Sequence, residues 1–561
     1  MIAALIQSNP RTGDIAGNME SLVLAAERAA AHADFCMAPE MALCGHNAGD
    51  ILLRNGFADA CRAVLNEAAL RLARSKAPPL LLGAPVANPV PMGKSLQSGA
   101  VLLHQGQVRV IGRKILLPSG GIHGEAGYFE PGVACGVLPL KGWRFGVTLG
   151  EDAWNGESAR IGRRLFSRDP LGDFFSAGGA DCLINLCARP YEQGCIAPHE
   201  QMLARLAEHH RVPVLAVNMV GGGDSLVYYG QSLALDGMGR VWARAKAFAE
   251  DLLIVDLSGK QQTQRLSLGG ELSPCPQVRE EEAAPEEELW QAIVLGLKDF
   301  VHKCGFTSVL LGLSGGADSS LLAALAADAF GPEKVIALFM PAPLSNPGCA
   351  DDALNLAKNL GLCLHVLPIA PLLDSFADLC AGDLADGLCG AAGDKIQARV
   401  RAGLLLTYAD RFTAMPLCAV NKSEAAVGAV ALYGDLCGGI SPIGDLYKKQ
   451  VYALCRHYNH KHPGAIPESV MHKTPSLEFA SGRENLGLLP SGPVLDSLLK
   501  DILEGRENLE DLKLKGHDPE VVQRISSLVH KAEFKRRQAP PVLHLSAGGF
   551  GGGMRIPIAS V

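Results

Sequence analysis

Short apolar runs separated by polar and glycine-bearing stretches recur along the whole chain. Ala3–Gln7, Phe35–Ala38, Leu80–Gly83, Phe145–Leu149, Cys182–Asn185 and Val214–Asn218 are too short for typical helices and read as buried strands. Ala100–Leu103 and Val108–Ile111 form a predicted hairpin around His104–Gln107, and Met19–Ala33 has helical composition. Strands separated by helices, with hairpins added, predict a layered α/β sandwich for the first half. In the second half, Val309–Leu311, Val335–Pro341 and Cys363–Ile369 alternate with the helical stretches Leu321–Ala327 and Asp351–Leu360. That repetition predicts a doubly wound parallel sheet with its ligand at the carboxyl ends of the strands. Between the halves, Leu257–Leu272 is polar, Ser273-Pro274-Cys275-Pro276 is proline-rich and Glu280–Glu288 is acidic. Such a stretch disfavours a core and favours an exposed connection. The expected domains are residues 1–258 and 289–561, joined by a linker over 259–288. A helix is expected over Glu286–Cys304, where the leading acids suit the positive end of its dipole.

Composition narrows the class. A chain of 561 residues is too long for one core. A net charge of −7, with no long Lys/Arg cluster, gives no support for a nucleic-acid partner. No apolar run is long enough for a spanning helix, so no membrane partner is expected. Met1–Gln7 reads as a strand, not a signal peptide, which predicts a cytoplasmic protein. The 16 cysteines contain no Cys-x-x-Cys pair, so they are expected to be buried apolar thiols and not a zinc or redox site. Ala547–Gly553 is glycine-rich and flexible by composition.

The sharpest chemical signal is Ser314-Gly315-Gly316-Ala317-Asp318-Ser319-Ser320, set between a buried strand and a helix. The glycines let a ligand approach the backbone, and the helix start supplies unpaired N–H groups. Ser314, Ser319 and Ser320 add hydroxyl donors, and Asp318 beside phosphates suggests a Mg²⁺ ligand. An ordinary serine-capped turn would use the same glycines without that carboxylate. No Gly-Lys-Ser/Thr follows, so this is not a Walker loop. Gly312, Leu313, Ser314, Gly315, Gly316, Ala317, Asp318 and Ser319 are the candidate ATP-binding residues. The motif resembles the pyrophosphate-holding loop of the N-type ATP pyrophosphatases. Those enzymes adenylate a carboxylate or carbonyl oxygen and displace AMP with a nitrogen nucleophile.

The first half resembles the nitrilase-type glutaminase domain. Pro39-Glu40-Met41-Ala42-Leu43 is similar to the family segment whose Glu is the general base. Arg113-Lys114-Ile115-Leu116-Leu117-Pro118 is similar to the segment whose Lys steadies the oxyanion. Glu125 with Tyr128–Gly132, and Gly146–Trp154, match two further segments in family order. The resemblance implies Glu40 and Lys114 as catalytic residues, yet the family's nucleophilic Cys falls at Gly150. Glycine cannot form a thioester. The family's glutamine-contacting Tyr falls at Gly120, its Asn-x-Ser-Pro segment is altered over Asn185–Tyr191, and Glu157–Asp173 looks inserted. Cys187 or Cys182, on a neighbouring strand, is expected to lie too far from the Glu–Lys pair to replace the missing thiol. The expectation is a domain that keeps the fold without glutamine hydrolysis.

The second half is similar to NAD synthetases in Ile396–Arg401, Asn421–Glu424, Tyr433–Lys448 and Glu533–Pro540. Together the halves resemble the two-domain glutamine-dependent NAD synthetase family, whose members convert deamido-NAD, ATP and glutamine to NAD, AMP, pyrophosphate and glutamate. The resemblance implies Asp318 and Glu424 as Mg²⁺ ligands. It implies Glu424, Lys535, Arg399 and Lys422 at the substrate, the basic ones neutralising phosphate, and a homo-oligomer. Here too there are departures: Ala419 and Val420 replace Thr-Gly, Asp394-Lys395 replaces Glu-Asn, and Asn485–Gly492 has lost acids and a tyrosine. Lys473–Ser476 keeps part of a neighbouring lysine–proline segment. Three readings follow. One is amidation of deamido-NAD with free ammonia, or nitrogen delivered by another protein, in place of glutamine. Another is a different adenylating amide ligase with an altered acceptor pocket at Lys395, Ala419 and 485–492. The last is a pseudoenzyme.

Overall fold

The computed structural model describes all residues except 120–123, 154–165, 260–262, 268, 276–283, 344–346, 382–389, 473–488, 506, 551–553, 555 and 560–561. Gly120, Lys473–Ser476, Asn485–Leu488 and Glu280–Glu282 therefore lie outside the described residues, as does most of the insertion after Trp154. The chain divides into two compact units: Met1–Gly223 with Val227–Glu282, and Asp224–Leu226 with Ala283–Val561. No helix among the described residues is long and apolar enough to cross a membrane.

The strands of the first unit begin with β1 (Ile2–Gln7), β2 (Phe35–Met37), β3 (Leu80–Ala87), β4 (Leu96–His104) and β5 (Gln107–Arg113). Then come β6 (Gly136–Leu140), β7 (Trp143–Leu149), β8 (Cys182–Cys187) and β9 (Val214–Asn218). A hairpin of β10 (Val220–Gly223) and β11 (Leu226–Tyr229) precedes β12 (Leu233–Leu235), β13 (Val241–Arg244) and β14 (Asp251–Asp256). Finally come β15 (Gln264–Leu266) and β16 (Leu272–Pro274). One sheet runs β16-β15-β14-β1-β2-β3-β4-β5 and another β13-β12-β9-β8-β7-β6.

The alternation of side chains explains the layers. On β1, Ala4 and Ile6 join a core with Met19, Leu22, Leu65 and Leu72, residues of the helices Ile15–Arg28 and Phe57–Arg74. Their neighbours Ala3 and Leu5 join Phe145, Ile184 and Leu215 of the other sheet. Period-2 apolar residues thus bury both faces of one strand. The outer face of the second sheet packs Leu183 and Val214 with Met202 and Leu203 of the helix Ile196–His210. The unit is an α/β/β/α sandwich.

Part of the stretch expected to be an exposed linker is sheet. β15 pairs antiparallel with β14, and β16 with β15. Leu266 and Cys275 are the anchors, each buried in one of the two sheet cores. Polar residues around them mask that pattern in the sequence. The helix Pro285–Lys303 follows, with Pro at its start and Glu286, Glu287 and Glu288 in its first turn.

In the second unit, β17 (Val309–Gly312), β18 (Val335–Phe339), β19 (Cys363–Val366) and β20 (Met415–Leu417) form a parallel sheet in the order β19-β18-β17-β20. The chain steps outward from β17 to β19, then returns to β17's other side as β20. The strand order therefore reverses beside β17, and ligands bind at the carboxyl ends of strands at such a switch point. β19 stops at Val366, short of the expected Ile369, where Pro368 lacks the N–H a strand needs and the helix Ala370–Cys380 begins.

Candidate functional site

A polar cavity stands in each unit among the described residues. In the first, Gly150 follows the last residue of β7, beside β8, where Leu149 pairs with Leu186. Its φ is +46°, and Asn185 Nδ2 donates to its carbonyl at 3.1 Å. The Asp152 carboxylate accepts from the N–H groups of Ile115 and Leu116 at 3.0 and 2.7 Å, pinning the Lys114 loop against this turn. Lys114, only 1% exposed, is then ringed by acids: its Nζ lies 3.0 Å from Glu40, 2.8 Å from Glu125 and 2.6 Å from Glu151. His46 Nε2 meets Glu125 Oε1 at 3.0 Å, and Ser98 Oγ donates to Glu40 Oε1 at 3.3 Å. Burial pushes the Glu40 carboxyl up to about 7 against the pull of Lys114. Burial acts the same way on Glu125, but Lys114 and His46 override it and hold that carboxyl down to about 2. A base with a near-neutral pKa beside a fixed cation suits proton transfer to and from an amide.

The cavity there, about 110 Å³, is lined by Glu40, Lys114, Glu125, Gly150, Glu151 and Cys187, among others. A Cβ at position 150 would lie 2.7 Å from Glu40 Oε2 and 2.8 Å from Lys114 Nζ. The polar groups thus converge on a position that carries no side chain. Cys187 lines the same cavity, nearer than the sequence implied, but its thiol is fully buried, hydrogen-bonds Asn185 Oδ1 and is pushed up by burial beside Glu40. A protonated buried thiol is a poor nucleophile. Gly150→Ala combines a left-handed side chain with a crowded polar cage, and should destabilise the protein by about 1–3 kcal/mol. Urea unfolding checks this as a lowered midpoint at unchanged slope.

The second cavity, about 310 Å³, opens at the carboxyl end of β17, and Gly312 through Ser319 all line it. Gly315 has φ +79°, and a Cβ there would lie 2.1 Å from the carbonyl oxygen of Cys349, so only glycine lets the loop pass that backbone. Ser319 Oγ accepts from Ser314 N at 3.2 Å and lies 3.0 Å from Ser314 Oγ, while Ser320 Oγ donates to Gly316 O at 2.8 Å. These bonds fold the serines under the loop and leave the first turn of the helix Ala317–Phe330 facing the cavity. Such a turn is an anion site.

Asp318 stands in that turn. Asn421 Nδ2 donates to its Oδ1 at 2.8 Å, and Lys448 is ion-paired with its Oδ2. Glu424 closes a capping box with Asn421 at the start of the helix Lys422–Val427, and its Oε1 lies 3.7 Å from Lys448 Nζ. Desolvation by the cleft walls, then the nearby Asp318 carboxylate, push Glu424 up to about 7. Two hard-oxygen carboxylates that repel each other across a cation fit a divalent metal such as Mg²⁺. Lys448, the bridging cation, received no role from sequence, though it closes the motif Tyr433–Lys448.

The remaining expected residues fall elsewhere. Lys422 is wholly buried, its Nζ 2.9 Å from Asp445, 3.0 Å from Glu504 and 2.6 Å from Ser546 Oγ, and it does not line the cavity. In the ligand-free protein its ammonium is engaged in buried ion pairs and not with the cavity where a phosphate contact was expected. Arg399 is exposed, donates to Leu432 O at 3.3 Å and is likewise outside the lining. Its neighbour Arg401 lines the cavity instead, with Ala398, Ala402 and Leu405 on the same helix face. Lys535 donates to the carbonyls of Gly428 and Val430 at 2.7 and 2.8 Å, behind the lining residue Val430. Burial lowers its pKa. Ala419 lines the cavity, whereas Lys395 does not.

Comparison with known proteins matches each half of the chain to a family. Residues 2–265 match the carbon-nitrogen hydrolase family and residues 289–539 the NAD synthase family. The chain is 39% identical to the glutamine-dependent NAD(+) synthetase of Synechocystis sp., covering 99% of this chain and 98% of that protein. It is 32% identical to the glutamine-dependent NAD(+) synthetase of Aquifex aeolicus at the same coverages. The solved structure of the Acinetobacter baumannii glutamine-dependent NAD+ synthetase in complex with ADP superposes with a TM-score of 0.74 at 29% identity, covering 99% of this chain and 98% of that one.

Proposed function

Because the chain belongs to the two-domain glutamine-dependent NAD synthetases, which are carbon–nitrogen ligases, we propose that it amidates deamido-NAD at the second unit's cavity with free ammonia as nitrogen donor. In this reading ATP is the co-substrate, and it leaves as AMP and pyrophosphate. The observation that carries the choice of donor is Gly150. The base Glu40 and the cation Lys114 converge on a position with no nucleophile, so no thioester can form there and no ammonia can be released from glutamine.

The second unit supplies binding and electrostatics. The carboxylate of deamido-NAD attacks the α-phosphorus of ATP, pyrophosphate leaves, and ammonia then displaces AMP from the acyl adenylate. The first step is in-line phosphoryl chemistry, which depends on positioning and charge neutralisation more than on covalent help from the protein. Backbone N–H groups at the start of the Ala317 helix would meet the phosphates, and glycine at 315 lets the loop pass the Cys349 backbone. Asp318 and Glu424 would hold Mg²⁺, which neutralises charge developing on the phosphates. Lys448 adds a cation at the same place.

Incubation with Mg-ATP, deamido-NAD and ammonium, followed by chromatography, tests the reaction. NAD and AMP should appear in equal amounts. Nucleotide binding without AMP would favour a pseudoenzyme, and AMP formed only with another acid would favour a different ligase.

A further inference from the structure

Lys448 opens the helix Lys448–Lys461, and its side chain reaches between the two carboxylates assigned to the metal. The arrangement is directional. Asp318 turns Oδ1 to Asn421 Nδ2 and Oδ2 to Lys448. Glu424 turns Oε2 to the Asn421 N–H at 3.5 Å and Oε1 toward Lys448 at 3.7 Å. One oxygen of each acid is thus used by the same asparagine, and the other faces the ammonium. Those two facing oxygens are the ones a divalent cation would take. The Lys448 and Asp318 side chains are each 17% exposed, so the pair is largely removed from water. Lys448 Nζ also lies 5.8 Å from the centre of the Tyr452 ring, one turn along its own helix.

A metal ion arriving alone must displace this ammonium and leave it desolvated and unpaired, which is strongly unfavourable. A nucleotide arriving in the cavity brings phosphate oxygens that can take the ammonium over. We infer that Lys448 is a tethered counter-cation that occupies the metal position in the nucleotide-free protein, so that Mg²⁺ enters only as nucleotide phosphate draws the ammonium away. It is a positioning residue in this role: it keeps Asp318 and Glu424 together while the metal is absent and couples metal binding to nucleotide binding. Coupling of this kind is reciprocal, so removing the lysine must change metal affinity in the absence of any nucleotide. The inference rests on the reading of this cavity as the nucleotide site.

The test measures Mn²⁺ binding to the full chain without nucleotide, by the electron paramagnetic resonance signal of free Mn²⁺. Lys448→Met should bind at least tenfold more tightly than the unsubstituted protein, because the carboxylates lose their internal competitor. Lys448→Arg, which keeps the charge, should bind as weakly as the unsubstituted protein. Adding Asp318→Asn to Lys448→Met should remove the gain and so locate it at this pair. Lys448→Gln serves in the same way if the Met variant melts early. Equal Mn²⁺ affinity in the Lys448→Met, Lys448→Gln and unsubstituted proteins overturns the inference, as does a gain that survives Asp318→Asn. Such a result with NAD and AMP formation intact sinks this inference alone, whereas loss of AMP formation in the unsubstituted protein sinks the nucleotide-site reading beneath it.

Discussion

Replacing Asp318 by Asn should lower kcat/KM for AMP formation by about 10³-fold, while the protein melts within a few degrees of its usual temperature. The amide keeps an oxygen to accept from Asn421 Nδ2, so the local fold has little reason to change. What is lost is the negative charge. A metal that neutralises developing charge contributes several kcal/mol to the transition state, and about 4 kcal/mol corresponds to 10³ in rate. Lys448 also loses its stronger ionic partner and keeps only Glu424. Raised Mg²⁺ should recover part of the rate, because the surviving carboxylate still offers a ligand. An Asp318→Asn variant with near-normal turnover would remove the metal from this position.

Replacing Gly315 by Ala should abolish nucleotide binding and destabilise the second unit by about 3 kcal/mol or more. Two penalties combine at this residue. A side chain at φ +79° is strained, and its Cβ would lie 2.1 Å from the Cys349 carbonyl oxygen. That oxygen belongs to the backbone of the helix Pro347–Leu360, which cannot rotate aside as a side chain would. The loop must move, and the N–H groups at the Ala317 helix move with it. Thermal melting with and without Mg-ATP checks both parts: a lower melting temperature, and no ATP-dependent shift. Gly316→Ala is the contrast. Its φ is −94°, and its Cβ would meet nothing nearer than Ser314 Oγ at 3.4 Å, so a much smaller effect is expected.

Local pattern carried much of this architecture. The run Val309–Leu311, a glycine turn and an apolar helix place the Ser314–Ser320 loop at the end of a buried strand, and β17 with the Ala317–Phe330 helix stands there. The same holds for β1, β2, β7, β8 and β9, whose apolar runs are unbroken. Legibility failed where burial depends on partners far away in sequence. β15 and β16 each need one anchor in a distant core, and their polar neighbours conceal it. Lys422 follows the capping Asn421, and nothing local says that Ser546 and Asp445 will close over it. The motif Ile396–Arg401 carries Arg399 and Arg401 alike, and helical phase separates them. Ala398, Arg401, Ala402 and Leu405 recur at helical spacing and share the face that lines the cavity, which Arg399 does not. Lys448 stood in plain view at the end of a motif. Its role needed the distance to Asp318, which joins elements about 130 residues apart.

The first unit keeps its buried polar residues around a position that carries no side chain, Gly150. Glu40, Glu125 and Glu151 are ion-paired with the buried Lys114 in the protein as it stands, with glycine at position 150. Breaking such a cluster strands a buried charge, which is strongly unfavourable, so stability alone is enough to keep it. The relatives from Synechocystis sp. and Aquifex aeolicus are named glutamine-dependent, and the departure at Gly150 is therefore the decisive difference to measure.

The direct measurement is the isotopic mass of the NAD formed from deamido-NAD and Mg-ATP when amide-¹⁵N glutamine and unlabelled ammonium are supplied together at equal concentration. Free ammonia as the donor predicts NAD of unlabelled mass, with no more glutamate released than in the absence of protein. NAD carrying ¹⁵N would show that a nitrogen-releasing centre survives without a side chain at Gly150, and would contradict the proposed donor.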